Sequence, residues 1–227
     1  MAPLISCIVP VYNGARLIAE ALDSIFHQTY PQIEVIVADD GSTDGTARVV
    51  GSYGSRVRRV SQETAGPPAT RNLGLRHASG ELIAFLDADD LWHPEKLQRQ
   101  AERFRARPEL QASVTQVQLF WEFELETERR AFERHPRAKP VPGYATTSLL
   151  ARREVFDTIG SFSTDLWFAD ATEWFIRARE KAVVIELLPE PLVYHRMHSQ
   201  NLTRRMSEAS GAEFARVLKA SLDRRRA

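Results

Sequence analysis

Acidic residues are concentrated at two points in the first ninety residues, each directly after a short apolar run. Asp39 and Asp40 follow EVIVA, and Asp87, Asp89 and Asp90 follow LIAFL. If these runs are neighbouring parallel strands, the carboxylates share the sheet edge at which α/β proteins bind ligands. Carboxylates this close repel one another unless they are neutralised, which indicates a hard divalent cation such as Mg²⁺ or Mn²⁺. The alternative is that Asp89 or Asp90 caps the following helix.

The elements that must position these carboxylates alternate between strand and helix patterns. The strand patterns are LISCIVPVY, EVIVAD, VRRVSQ and LIAFLD. Between them lie helix patterns that include STDGTARVVGSY, with Ser42 or Thr43 as N-cap, and PPATRNLGLRHA. Strands separated by crossover helices predict an α/β fold with a mostly parallel central sheet and helices on both faces.

The second half of the chain is less regular. A helix is expected in LWHPEKLQRQAERFRA, started by Pro94 and ended by Pro108. The patterns that follow predict a long strand in SVTQVQLFWEFELE, a loop in HPRAKPVPGY, a strand in TTSLLA, helices in REVFDTIG and DATEWFIRAREK, and a strand pair in VVIELL and LVYHRMH. From Ser207 an amphipathic helix is expected, with one apolar face formed by Phe214, Val217, Leu218 and Leu222.

Composition is typical of a soluble globular protein with one core. Of the 227 residues, 43% are hydrophobic and 26% are charged. We expect one domain, 1–227, with halves at 1–107 and 108–206 and a closing helix at 207–227. Thirty basic residues balance thirty acidic ones, so no global field would draw the protein to nucleic acid.

The single cysteine and the hydropathy pattern bear on location. Cys7 lies in an apolar run, which suggests a buried packing residue, and a lone cysteine excludes an internal disulfide. A reducing cytoplasm fits this pattern. Because no run of about 18 apolar residues occurs, no integral membrane segment is expected. A cytoplasmic position peripheral to the inner face of the membrane is the alternative.

Several segments, in order and spacing, point to one family. IVPVYNG, QTYPQIEVIVADDGSTDGT, AGPPATRNLGLRHASGELIAFLDADD and EWFIRARE resemble glycosyltransferase family 2, whose members have the Rossmann-like GT-A fold. The resemblance implies a metal-dependent, inverting sugar transfer from a nucleoside-diphosphate sugar to a hydroxyl acceptor, either a glycan or a lipid-linked molecule.

The resemblance assigns several residues to the nucleotide sugar. Pro10, Val11 and Tyr12 match the strand end that lines the nucleotide pocket, and Asp39 matches the carboxylate that accepts a hydrogen bond from the base, which favours UDP or dTDP. Arg71 matches a basic residue beside the nucleotide. The remaining matches are Gly66, which would allow close approach of the backbone, and Asp87 and Ala88 of the Asp-x-Asp motif. Four of these residues also have a structural alternative: Tyr12 as a strand-end aromatic, Asp39 and Gly66 as turn residues, and Arg71 as a helix-surface arginine.

The metal is assigned to the end of the same motif. Asp89, with Asp90 as a second ligand, would hold Mn²⁺ or Mg²⁺ against the diphosphate. The segment LVYHRMHSQN matches a region where a histidine completes the site. Alternation along a strand places His195 and His198 on opposite faces, which favours His198 alone. A surface loop residue is the alternative for His198.

The catalytic base is the point at which the chain departs from the family. Aligning FADATEWFIRARE on Glu173 and Trp174 puts Ala171 at the position where the family has the aspartate that acts as catalytic base. Asp170 is the candidate base if the alignment shifts by one residue; Glu173 and no base at all are the alternatives. Trp121 and Trp167 either shape an acceptor pocket or pack in the core.

Two other functions compete with sugar transfer. Nucleotidyl transfer needs the same sheet and metal, but it usually has a glycine-rich phosphate loop with a lysine, whereas VYNGARLIAE offers only Gly14 and Arg16. A pseudoenzyme of the same fold, which binds a nucleotide sugar without turnover, is the alternative that Ala171 permits.

Overall fold

A curled, mostly parallel sheet surrounded by helices forms the centre of the computed structural model, which describes residues 2–135, 138–205 and 207–226. The strands are β1 (Ile5–Val11), β2 (Ile33–Asp39), β3 (Val57–Ser61), β4 (Leu82–Phe85), β5 (Leu91–Trp92), β6 (Ala112–Trp121), β7 (Val141–Pro142), β8 (Leu150–Arg152) and β9 (Ile185–Met197). The helices are α1 (Ile18–Phe26), α2 (Thr46–Gly51), α3 (Pro67–His77), α4 (Lys96–Ala106), α5 (Glu126–Phe132), α6 (Arg153–Ile159), α7 (Asp170–Glu180), α8 (Leu202–Arg205) and α9 (Ser207–Arg226). The predicted α/β class is confirmed.

The strand order brings the two halves of the sequence into one sheet. It runs β3-β2-β1-β4-β8-β6-β9-β5, with β7 paired to β6. Strands β3, β2, β1 and β4 are parallel, and β8 joins β4 in the antiparallel direction. Val11 lies opposite Asp39, so the carboxyl ends of β1 and β2 meet at one edge. The end of β4, followed by Asp87, reaches the same edge.

Strands β1 and β4 and most of β2 are buried on both faces, which explains their nearly continuous apolar runs, whereas the edge strand β3 is largely exposed. Along β1, Cys7 and Val9 belong to one hydrophobic cluster, and Ile8 belongs to the other. Helix α3 approaches β1 closely at Gly74, where an added Cβ would lie 2.3 Å from Cγ2 of Ile8. The predicted burial of Cys7 is confirmed, and burial raises the pKa of its thiol to about 12.

Several predicted elements have different boundaries. The prediction of Ser42 or Thr43 as N-cap is wrong, because α2 begins after Gly45 and the Ser42 hydroxyl instead accepts the backbone N–H of Asn13. Helix α4 starts at Lys96, two residues after Pro94. The Leu91–Trp92 pair at the start of the predicted helix segment is strand β5, which pairs with β9.

The second half differs more from its prediction. The long strand ends at Trp121, and a 3₁₀ turn and α5 follow. The predicted strand pair is the single strand β9, and the segment TTSLLA is a 3₁₀ turn that leads into β8. The predicted loop HPRAKPVPGY contains β7, while its residues 136–137 lie outside the described residues.

The C-terminal helix forms as predicted, but its apolar face is only partly covered. Val217 is buried, whereas Phe214, Leu218 and Leu222 are exposed. None of the helices in the described part of the chain is both long enough and apolar enough to cross a membrane.

Candidate functional site

The loop after β2 is held by two neighbouring carboxylates. Asp39 is 2% exposed; its Oδ1 accepts the backbone N–H of Ser42 at 2.9 Å, and its Oδ2 accepts from Nη1 of Arg59 at 2.7 Å. Asp40 accepts the backbone N–H groups of Ala65 and Gly66 at 3.0 and 2.9 Å. The segment before α3 is therefore tied to the end of β2, and Arg59 covers the predicted base-reading carboxylate.

The Arg59 contact was missed from the sequence. Arg59 lies opposite Val37 in the register of β2 and β3, and Val37 shares its face of the strand with Asp39. The contact between Arg59 and Asp39 could therefore be predicted only if the register of β2 and β3 were known.

The end of β1 offers fewer side chains than predicted. Pro10 and Val11 are buried, and the carbonyl of Val11 accepts the N–H of Asp40 at 2.8 Å. Tyr12 is 56% exposed. Of the three residues assigned to the nucleotide pocket, Tyr12 is the one whose side chain is available to stack on a ligand.

Arg71 joins the two halves of the chain. Its Nη1 donates to Asp170 at 2.7 Å and its Nη2 donates to Asp87 at 3.1 Å. Burial lowers the pKa of Arg71, but the two carboxylates outweigh this effect and raise it. Within the described residues the buried Nε of Arg71 has no hydrogen-bond partner.

The geometry does not favour Asp170 as the base. Its side chain is almost fully buried and is already bound to Arg71. Burial raises the pKa of Asp170 above its ordinary value, and Arg71 only partly opposes this. Glu173, the other candidate, pairs with Arg177 at 2.7 Å. Because both carboxylates are held in ion pairs, neither predicted base is free. Ala171 lies beside them and is partly exposed.

Asp89 and Asp90 point in different directions. Oδ2 of Asp89 lies 2.9 Å from Nε2 of His198. Asp90 is fully buried, and its oxygens contact the backbone N–H of Arg196 and Nδ1 of His195, each at 3.0 Å. Asp90 anchors β9, because each of its oxygens is bound within the protein, and this geometry favours Asp89 over Asp90 as the metal ligand.

Both histidines reach the acidic motif, contrary to the alternation argument. Strand β9 ends at Met197, so strand alternation does not extend to His198. Asp90 raises the pKa of His195 above its ordinary value, and burial raises the pKa of Asp90. Burial also acts to raise the pKa of Asp89, but the hydrogen bond from His198 helps to bring it below its usual value.

The donor set fits a divalent metal only in part. Asp89 and His198 together offer a carboxylate oxygen and an imidazole nitrogen, which suit Mn²⁺ better than the all-oxygen preference of Mg²⁺. Among the described residues, no group of three or more His, Cys, Asp or Glu side chains is arranged to hold a metal ion. The diphosphate of a donor and water would have to supply the other ligands.

Trp167 closes the site near the start of α3. Gly66 has a φ of 91°, and a Cβ added there would lie 2.8 Å from Cε2 of Trp167. The close approach expected at Gly66 is therefore made by this indole ring, which is 42% exposed.

Trp121 packs on Phe132 with ring centroids 5.1 Å apart. Ala88 packs against the core cluster.

Comparison with known proteins identifies relatives that cover much of the chain. Residues 6–163 match the family model described as Glycosyl transferase family 2. Uncharacterized glycosyltransferase alr2836 of Nostoc sp. is 31% identical over 225 residues, which cover 91% of this chain and 68% of that protein. Uncharacterized glycosyltransferase RT0329 of Rickettsia typhi is 42% identical over 99 residues, and the match spans only 31% of its length.

Solved structures share the fold. Mannosyltransferase PcManGT from Pyrobaculum calidifontis, in complex with GDP-Man and Mn²⁺, has a TM-score of 0.73 and 26% identity, with 96% of this chain and 65% of that chain covered. TarS 1-349 of S. aureus, in complex with UDP, has a TM-score of 0.71 and 23% identity, with coverage of 91% and 63%. With the family match over most of its length and the same α/β architecture, the chain belongs to glycosyltransferase family 2 and has the GT-A fold.

Proposed function

We propose that this chain transfers a sugar, with inversion, from a nucleoside-diphosphate sugar to the hydroxyl group of a glycan or lipid-linked acceptor, with the help of a divalent metal. The observation that carries the proposal is the pairing of Asp89 with His198 beside the ion pair of Asp87 with Arg71, at one edge of the sheet. The relative PcManGT was solved with GDP-Man and Mn²⁺, which supports this class of ligand.

The nucleotide would lie along the ends of β1 and β2. Tyr12 has the exposed ring on which a base can stack. Asp39 can accept a ring N–H only if the guanidinium of Arg59 moves aside, and Arg59 can then donate to a neighbouring carbonyl of the base. Uracil and thymine present a ring N–H between two carbonyl groups, as the UDP or dTDP preference requires, whereas guanine presents its ring N–H beside one carbonyl group and an amino group.

The metal would be held by Asp89 and His198 together with the diphosphate. When bound, it supplies positive charge that stabilises the departing nucleoside diphosphate. Arg71 orders this edge from the protein side, since it fixes Asp87 and the start of α7 at the same time. Its charge also favours an anionic ligand nearby.

A nucleotide-sugar-binding pseudoenzyme is the second candidate, and one observation favours it. Ala171 has no proton-accepting group, Asp170 is bound to Arg71, and Glu173 is bound to Arg177. A general base is worth typically about 10²–10⁴-fold in rate, so its loss would leave binding intact while transfer becomes slow.

The test is a thermal-shift panel of UDP, dTDP, GDP, CDP and ADP with and without Mn²⁺. A ligand present at about 100 times its dissociation constant adds about 2.7 kcal/mol of stability, which shifts Tm measurably. We expect metal-dependent stabilisation by UDP or dTDP, lost in Asp89→Asn and kept in Asp157→Asn, a change at an exposed position on α6. A flat panel for the wild type would refute the nucleotide site.

A further inference from the structure

Helix α9 lies along α7 and contacts it near both of its ends. Near the start of α7, Val217 packs in a small cluster with Leu166 and Ala169. At the far end, Glu180 of α7 accepts hydrogen bonds from the Ser221 hydroxyl at 2.8 Å and from Nε of Arg224 at 3.0 Å. Helix α9 is therefore attached to an element of the candidate site.

The contact closest to the site is made by Glu213. Its carboxylate accepts three consecutive backbone N–H groups, from Trp167 at 3.0 Å, Phe168 at 2.8 Å and Ala169 at 3.2 Å. The N-cap residue of α7, Ala169, makes no side-chain cap hydrogen bond. Glu213 instead fixes the turn that leads into the helix. Burial acts to raise the pKa of Glu213, but these N–H groups outweigh it and lower the pKa below its usual value.

The turn bound by Glu213 carries two contacts with the nucleotide-binding half. On one side, the ring of Trp167 lies against Gly66 at the start of α3. On the other side, Asp170 binds Arg71, which also binds Asp87. A shift of this turn would therefore move the indole that covers α3 and the carboxylate that orders Arg71.

We propose that Glu213 is a positioning residue for the candidate site, acting through the 167–169 backbone on Trp167 and Asp170. This inference deepens the proposed sugar transfer and rests on it. Glu213 touches neither Gly66 nor Arg71 itself; it fixes the turn from which the two contacts are made. Helix α9 is by this account part of the working site and not an appendage.

The first experiment compares wild type with Glu213→Gln by amide hydrogen exchange. Glutamine keeps the length of the side chain, but it replaces one accepting oxygen with an NH₂ group that faces the backbone donors. Because hydrogen bonds to a charged group are stronger than neutral ones, we expect exchange at 167–169 to become about ten-fold faster. The emission of Trp167, obtained by difference from Trp167→Phe, should shift to longer wavelength as the ring becomes more exposed.

The matched control is Arg224→Gln, which removes the ion pair with Glu180 at the other end of α9. Its exchange at 167–169 should equal that of the wild type. If Arg224→Gln accelerates exchange as much as Glu213→Gln, or if neither variant changes it, the positioning role is overturned, because α9 then acts only through general docking or does not act on the turn.

Kinetics separate positioning from donor binding. We expect Glu213→Gln to lower kcat for sugar transfer about ten-fold, and any rise in KM for the donor, transmitted through Arg71, to be smaller than the fall in kcat. Equal transfer by the variant and the wild type would overturn the proposal. If wild type binds and transfers nothing, the proposed function fails; faster exchange and the Trp167 shift would still support Glu213 as the residue that positions this turn.

Discussion

Arg71 is the residue on which most of the candidate site depends, because it is the buried cation between carboxylates from both halves of the sequence. Its two guanidinium arms reach Asp170 on α7 and Asp87 after β4. A planar fork suits this bridging, whereas the single ammonium of lysine serves one partner well. The pair therefore links the predicted nucleotide half to the predicted acceptor half at one point.

Removing this cation should destabilise the protein strongly. Arg71→Met leaves the buried carboxylate of Asp170 without its partner, and loss of one member of a buried pair costs about 3–5 kcal/mol. Urea denaturation measures the free energy of unfolding. Arg130→Met, which breaks an exposed pair with Glu126, is the control and should cost less than about 1 kcal/mol. Similar losses in both variants would contradict a structural role for Arg71.

A carboxylate at position 171 should restore or raise transfer. The side chain at this position is partly exposed beside Asp170, so Ala171→Asp places a base where the family has one. We expect kcat to rise by about 10²-fold or more if the rest of the site is assembled. Ala171→Asn has the same size without the basic oxygen and should show no gain. A gain in both variants would mean that packing, and not proton transfer, limits the reaction.

Residue types and spacing predicted the ends of the strands well but not the directions of the side chains. The position of Asp39, Asp87 and Asp89 at one edge of the sheet followed from their places after apolar runs. Whether Asp90 faces a ligand or the core was not predictable, because adjacent residues in a turn point to different sides and the partner, His195, is 105 residues away. The Arg59 contact likewise depends on a strand register that the sequence does not state.

At the scale of elements, α3 packs so closely on β1 that no side chain fits between them at Gly74. Helix α3 carries Arg71, so its distance from the sheet decides where the guanidinium lies. Gly74 allows this distance, since a Cβ there would overlap with Ile8.

We expect Gly74→Ala to destabilise the protein by about 1–3 kcal/mol, because overpacking of a core forces the helix or the strand to shift. Thermal or urea unfolding would measure the loss. Gly51→Ala at the end of α2 is the matched control, since nothing lies within 4 Å of its added Cβ. There alanine should be neutral or slightly stabilising. A stable Gly74→Ala protein would show that α3 can move away from β1 without cost.

Helix α4 buries a lysine that should make stability depend on pH. Lys96 lies 4.2 Å from the ring centroid of Trp92 and donates to Gln100, and burial lowers the pKa of Lys96 from 10.5 to about 7. Between these pH values the unfolded chain binds more protons than the folded one, so the free energy of unfolding rises with pH.

Relative to Lys96→Met, the wild type should therefore gain about 1–2 kcal/mol between pH 7 and about pH 9. Urea denaturation at several pH values measures the difference, and the exposed change Lys219→Met should run parallel to the wild type. A constant difference between wild type and Lys96→Met would mean that the lysine keeps its proton, held by the face of Trp92.

The regular alternation of the first half was predictable, and the second half was not, for a physical reason. Strands β1, β2 and β4 are apolar on both faces and are bounded by turn residues, so their pattern is strong. Strand β9 contains Pro189 and Pro191 and changes register against β6 near Gln116, which divides one strand into two apparent segments. Helix α9 has a clear apolar stripe, yet the structure covers only Val217 and leaves Leu218 exposed.

At the scale of the whole molecule, the division into halves at residue 107 does not coincide with a division of the sheet. Strand β4 of the first half pairs with β8, and β5 pairs with β9. The cluster on one face of the sheet includes Ile83 and Phe85 from the first half together with Trp174 from α7. Each half therefore covers apolar surface of the other.

This sharing leads us to expect that the two halves unfold together. Pulse-labelling hydrogen exchange across the urea transition should show β2 and β6 losing protection at the same denaturant concentration, because separating the halves would expose Phe85 and Trp174 to water at about 25 cal/mol per Å² of apolar surface. A fragment of residues 1–107 lacks β8 and should not unfold cooperatively. If β6 lost protection while β2 stayed protected, or if the fragment folded alone, the sequence would contain two units in place of the single domain we expect, and Arg71 would be a contact between them.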